Sequence, residues 1–195
     1  GNVYGGGSGK GSTVTGDTKV TVASNGTVGG SASNSGNVYG GGFIGATSGT
    51  TTVSGKTTVV INGTVKKYVF GGGNQSNTSS SCSASAVTGD TSVTVGGTAK
   101  IGGSTDKGII INNGTDVTNG VASFQIQSDQ PLTADASVYV VLPSGFAPGG
   151  TIATGAKDGD QGYIHLVGSN TWHLVPTYDG TGEVKAIKAS YPAPI

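Results

Sequence analysis

The chain has 195 residues, a formal net charge of zero and only 10% charged side chains, and all ten of its basic residues are lysine. Without arginine or a basic excess there is no electrostatic footprint for nucleic acid or an anionic membrane, and no run approaches the ~20 apolar residues that span a bilayer. With 38 glycines, no methionine and an abundance of Thr, Val and Ser, the chain has almost no helix-forming vocabulary, while its regular Val/Ile alternation excludes a wholly disordered tract.

In chain order, the first element is a short strand entering a glycine corner, Asn2-Val3-Tyr4-Gly5-Gly6-Gly7. It returns as Asn37-Val38-Tyr39-Gly40-Gly41-Gly42 and again as Val69-Phe70-Gly71-Gly72-Gly73. The corner valines are spaced by 35 and then 31 residues, in the range of solenoid repeats. A second unit lies between corners: Val14-Thr15-Gly16-Asp17-Thr18-Lys19-Val20-Thr21-Val22, with copies at Val53–Ile61 and Val87–Val95.

Read as strands of period two, the three copies predict the interior columns Val14/Val53/Val87, Thr18/Thr57/Thr91, Val20/Val59/Val93 and Val22/Ile61/Val95. The inward threonines are expected to bond along the stack or to a corner backbone. Outward stand Thr15/Ser54/Thr88, Asp17/Lys56/Asp90, Lys19/Thr58/Ser92 and Thr21/Val60/Thr94. The Asp17/Lys56/Asp90 column alternates in sign and predicts a short charge ladder that controls register. Each copy ends in a turn, Asn25-Gly26-Thr27-Val28, Asn62-Gly63-Thr64-Val65 or Gly96-Gly97-Thr98-Ala99, where glycine is expected to supply positive φ.

Further along, Gly108-Ile109-Ile110-Ile111-Asn112-Asn113-Gly114-Thr115 reads as a fourth, degenerate repeat, which places Ile109 and Ile111 in the interior. Ser/Asn/Gly insertions over 29–36 and 73–85 read as loops. From about Val117 the composition shifts. Strands are expected at Ser123–Gln127, Ser137–Leu142, Gly162–Val167, Trp172–Val175 and Glu183–Ile187, with Asp179-Gly180 as a hairpin signal.

These linked units resemble the pectin-lyase-like right-handed parallel β-helix, and in particular the Thr/Gly-rich arrays of bacterial cell-surface and adhesin-like proteins. The resemblance covers roughly residues 1–115. With the repeats, it implies an all-β chain: a right-handed parallel β-helix (solenoid) over 1–116, closed by a mainly antiparallel β cap over 117–195 that covers the open last repeat. It further implies a non-enzymatic stalk or adhesive module, extracellular or at the cell surface. Its partner would be a glycan or surface protein, met by the loops Gly41–Gly49 and Gly73–Ser85. The first residue falls inside a repeat. This suggests either a fragment with more repeats upstream or an edge that docks head-to-tail on the next molecule, making a filament subunit.

Candidate chemistry is thin. Gly5-Gly6-Gly7-Ser8-Gly9-Lys10-Gly11-Ser12 resembles a phosphate loop, but Tyr4 and Gly11 stand where that motif needs Gly and Ser/Thr. Polysaccharide cleavage, common on this fold, wants paired carboxylates or a strong base with calcium, and here Lys56 interrupts the one acidic column. Asp158-Gly159-Asp160-Gln161-Gly162 is a loose calcium-loop match without the later glutamate, and reads as a solvated turn. His165 and His173 lack clustered partners, and the lone Cys82 sits in a Ser-rich loop and reads as inert. The outward threonine columns suggest an ice-like or crystalline-sugar surface, opposed by the charges between them. Asn25, Asn62 and Asn113 each open a glycosylation sequon whose recurrence is explained by turn geometry. No catalytic, cofactor-binding or metal-ligating residue is expected.

Overall fold

The computed structural model describes residues 1–32, 35–44, 49–75, 86–103, 107–111, 121–143, 145–167 and 172–191. The chain is all-β. Glycine corners and turns cut its first half into short strands: β1 (Val3–Tyr4), β2 (Thr13–Val14), β3 (Thr18–Val22), β4 (Thr27–Val28), β5 (Val38–Tyr39), β6 (Phe43–Ile44), β7 (Thr52–Val53) and β8 (Thr57–Ile61). The same order then repeats as β9 (Thr64–Val65), β10 (Val69–Phe70), β11 (Asn74–Gln75), β12 (Ala86–Val87), β13 (Thr91–Val95), β14 (Lys100–Ile101) and β15 (Ile109–Ile110). Longer strands follow: β16 (Phe124–Ile126), β17 (Ser137–Val141), β18 (Gly150–Thr154), β19 (Ile164–Val167), β20 (His173–Tyr178) and β21 (Val184–Ser190). One turn of 3-10 helix spans Asp160–Tyr163.

Equivalent segments of successive repeats lie side by side and run parallel. Val3 pairs with Val38, and Val38 with Val69. Val20 pairs with Val59, and Val59 with Val93. Val14 pairs with Val53, and Val53 with Val87. The repeat alignment therefore gives the register, because a slip by one residue would turn every valine to solvent.

Among the described residues, two larger sheets enclose the main core. One joins β1, β5, β10, β15, β17, β14, β9 and β4, with β19 added against β17; the other runs β20-β21-β18-β16-β13-β8-β3. Val38, Val69, Ile109 and Val140 from the first meet Val59, Ile61, Val93 and Val95 from the second in one buried cluster. Each such side chain gains roughly 1.5–3 kcal/mol on leaving water, which makes these columns the main source of stability. The expected interior is buried at Val20, Val22, Val53, Val59, Ile61, Val93, Val95, Ile109 and Ile111. Val14 and Val87 are only half-buried. They lie on β2 and β12, which flank β7 in a three-stranded sheet and so have a neighbour on one edge only.

The inward threonines bond to the corners. Thr18 Oγ1 donates to the carbonyl of Gly40 at 2.6 Å and Thr57 Oγ1 to that of Gly71 at 2.5 Å, so each hydroxyl is satisfied inside an apolar column. The corners are glycine because nothing larger fits. A Cβ on Gly40 would overlap the carbonyl oxygen of Gly71, and one on Gly41 would come to 2.8 Å from Val87 Cγ2.

Four expectations are corrected. Gly26 and Gly63 do not take positive φ, although Gly97 does at 58°. Gly63 is required instead by close approach, since its Cβ would overlap the carbonyl oxygens of Ala23 and Gly26 in the repeat before it. The third turn is offset by two residues: Lys100-Ile101, not Thr98-Ala99, pairs with Thr64-Val65. The stretch from Gly108 is not a fourth copy of the Val14–Val22 unit. Ile109 pairs with Val69, so it belongs to the corner column, and β16 takes the fourth place in the other by pairing Gln125 with Thr94. The local likeness of Ile-Asn-Asn-Gly-Thr to Ile61-Asn62-Gly63-Thr64 is outweighed by where the chain stands along the repeat.

The last correction concerns the C-terminal region, where parallel pairing continues past residue 117. β16 pairs β18 in parallel, and β17 pairs β14, β15 and β19 in parallel. The antiparallel part is confined to β18–β21 and the β20–β21 hairpin. β18 itself, Gly150-Thr151-Ile152-Ala153-Thr154, was not anticipated, because two threonines and a glycine give a weak alternating signal.

Candidate functional site

Two outward faces are built by the same registers. On the seven-stranded sheet a single row crosses every strand, from Thr21 through Val60, Thr94, Gln125 and Thr154 to Ala186 and Thr177. The predicted column Thr21/Val60/Thr94 is its first part. All seven side chains are uncharged, and several hydroxyls reach back to backbone: Thr94 Oγ1 to the Val59 carbonyl and Thr154 Oγ1 to that of Phe124, both at 3.5 Å. The neighbouring charges do not form the expected ladder. Asp17 Oδ1 accepts the backbone N–H of Lys56 at 2.8 Å, so its carboxylate caps the next repeat's turn instead of meeting the ammonium.

The outer face of the other large sheet carries rings and amides. Val38 and Val69 point into the core, so by strand alternation Tyr39 and Phe70 face the other way. They stack with centroids 4.8 Å apart at 7°, and Tyr4 stacks on Tyr39 at 5.1 Å and 9°. Phe43 packs beside both tyrosines. Burial pushes the Tyr39 phenol up to about 12, with the nearby Tyr4 hydroxyl acting in the same direction and a hydrogen bond from Asn37 opposing it.

One residue before each aromatic strand pair runs a second row, Asn2, Asn37, Tyr68, Gly108, Tyr139 and His165. Asn2 Oδ1 accepts the Asn37 N–H at 2.9 Å, and Asn37 Oδ1 accepts the Tyr68 N–H at 3.3 Å. The Tyr139 and His165 rings lie 4.9 Å apart. Gly108 interrupts the row, because a Cβ there would overlap the carbonyl oxygen of Tyr139. These two rows were missed at the sequence level. Their signal was present in the equivalence of Asn2 with Asn37 and of Tyr4, Tyr39 and Phe70.

The motifs singled out by sequence are used structurally. In the phosphate-loop look-alike, the N–H groups of Gly5, Gly6 and Gly9 donate to the carbonyls of Tyr39, Gly41 and Phe43, so they do not face a ligand. At the calcium-loop look-alike, Asp158 is exposed whereas Asp160 is 3% exposed. Asp160 Oδ2 accepts the Lys157 N–H at 2.7 Å. Burial raises the Asp160 pKa, against that hydrogen bond and the Lys157 charge. The two carboxylates thus occupy different environments. Among the described residues no three of His, Cys, Asp and Glu converge.

At the β20–β21 hairpin, Asp179 Oδ1 accepts from the Thr181 hydroxyl at 2.6 Å and its N–H at 2.9 Å, which holds the carboxyl below its usual range. His165 is exposed beside Tyr139 and His173 is exposed on β20. Asn25 is exposed, whereas Asn62 is buried and accepts from Gln127 Nε2 at 2.8 Å. Cys82, Asn113 and most of the loops expected to meet a partner lie outside the described residues.

No family model, curated protein or solved structure matches the chain.

Proposed function

We propose that the chain is a non-enzymatic structural and adhesive module of an extracellular bacterial surface protein, wound as a right-handed parallel β-helix that serves as stalk or binding surface. The observation carrying this reading is the parallel, in-register stacking of equivalent repeat segments around aliphatic columns. A stack of that kind spends its apolar side chains on neighbouring repeats and leaves long outward faces. The candidate catalytic motifs also have their polar groups engaged in the backbone framework. A glycan-array and host-protein screen tests the reading: a bound glycan or surface protein, with no release of reducing ends from polysaccharide, is expected. Clean failure to bind, together with measurable polysaccharide cleavage, replaces it with the enzymatic alternative.

A second reading is a self-assembling filament subunit. It is favoured by β1, β2, β3 and β4, each of which pairs with a strand on one edge only, against β5, β7, β8 and β9. Such edges take further strands, whether from more repeats of the same chain or from a second copy. The opposite end of the seven-stranded sheet is less receptive, because its edge strand β20 holds Pro176, which has no N–H to donate.

A further inference from the structure

We propose that the outward row Asn37, Tyr68, Gly108, Tyr139 and His165 is a binding track for a neutral glycan chain, lying across the strands. The proposal rests on the reading of the module as a surface that binds without cleaving, and it names the place and the ligand class. Three observations carry it. First, the row alternates ring and gap. Tyr68 and Tyr139 stand on either side of Gly108, two strand spacings apart or roughly 9–10 Å, and the missing side chain leaves a notch between two rings. Both tyrosines are half-buried, held by their neighbours yet presenting a face: Tyr68 leans on Phe70 at 5.8 Å and Tyr139 on His165 at 4.9 Å.

Second, the row offers stacking surface and hydrogen-bonding groups together: phenols, the Asn37 amide and an exposed imidazole. An apolar partner would leave those polar groups unpaired, whereas a sugar ring has an apolar C–H face for the aromatic and hydroxyls for the amide and imidazole. Third, no carboxylate or ammonium stands in the row, so an anionic or cationic polymer finds no counter-charge within it. A peptide strand is a poorer fit, since backbone pairing takes place at sheet edges and this is a sheet face.

Affinity electrophoresis of the whole chain tests this. The gels would contain soluble neutral glucans, mannans or galactans, with heparin and polygalacturonate as charged controls. Retardation by at least one neutral polymer and none by the charged ones is expected. Tyr139→Ala should weaken it about tenfold or more, as loss of a stacking partner would. Tyr139→Phe, which keeps the ring, should retain most of it, and Thr94→Ala on the other sheet should leave it unchanged. If Tyr139→Ala melts early, His165→Ala, an exposed substitution, carries the same expectation of weaker binding.

Retardation that survives both Tyr139→Ala and His165→Ala overturns the track, as does retardation by the charged polymers alone or by none. A Tyr139-dependent dimer in sedimentation, without glycan binding, assigns the face to a second copy instead. Shortening of the polymer during the run would sink the non-enzymatic reading while leaving the track standing.

Discussion

Val59 and Thr58 are adjacent, and the stack treats them oppositely. Val59 is fully buried between Val20 and Val93, while Thr58 points out between Lys19 and Ser92. Val59→Asp should therefore cost about 3 kcal/mol or more, because it places an unpaired carboxylate in an aliphatic column. Thr58→Asp should shift the melting midpoint little. Equal midpoints for the two variants in a thermal scan would contradict the inside/outside assignment. Tyr39 makes a second, pH-dependent contribution. Its folded pKa of about 12 lies above the ordinary 10.0, so as pH rises through this window the unfolded chain loses its proton first. Stability is thus fully present below pH 10 and falls as pH rises toward 12. Denaturant melts across that range should show the loss, and Tyr39→Phe should flatten it. An unchanged pH slope in Tyr39→Phe would remove Tyr39 as its source.

The corners and turns decide where each strand ends. The corner glycines were legible as breaks from their recurrence, but the reason for glycine was not, because it lies in the neighbouring repeat. Gly40 is buried against Gly71 and Thr57, whereas Gly16 has open space where a Cβ would stand and no positive φ. Gly40→Ala should cost roughly 1–3 kcal/mol through forced separation of two repeats. Gly16→Ala should be silent or slightly stabilising, through a less flexible unfolded chain. Chemical denaturation of the pair checks this, and a destabilised Gly16→Ala with an intact Gly40→Ala would reverse the argument. The same dependence on neighbours explains why the Gly108 segment was misplaced. Its Ile-rich pattern fits any inward strand, and only its pairing with Val69 shows which column it joins.

At the scale of the whole molecule, the two ends of the seven-stranded sheet differ. β3 offers a free edge of five residues with Lys19 as its charged side chain, and β20 offers an edge interrupted by Pro176. The filament reading predicts concentration-dependent growth in sedimentation velocity and regular fibres by electron microscopy. The stalk reading predicts a single elongated species with a frictional ratio independent of concentration. Fibres would promote the second reading to first, and a monomer at high concentration would remove it. Lys19→Pro separates the two further, since it should abolish growth through β3 while leaving the inward Val20 and Val22 columns in place.

The sequence by itself determined the all-β class, the repeat, the parallel register of its three copies and most of the buried columns. Those depend on period-two alternation and on the identity of equivalent residues, both of which are written locally. Tertiary structure alone decided what meets across the repeats: the Thr18 and Thr57 hydroxyls on the corner carbonyls, Asp17 on the Lys56 backbone, and the ring and amide rows on the outer face. It also decided that parallel pairing continues through β17 and β19. None of these could be read from a segment, because each depends on which strand the chain lays beside it, and that choice is made by the packing of the whole core.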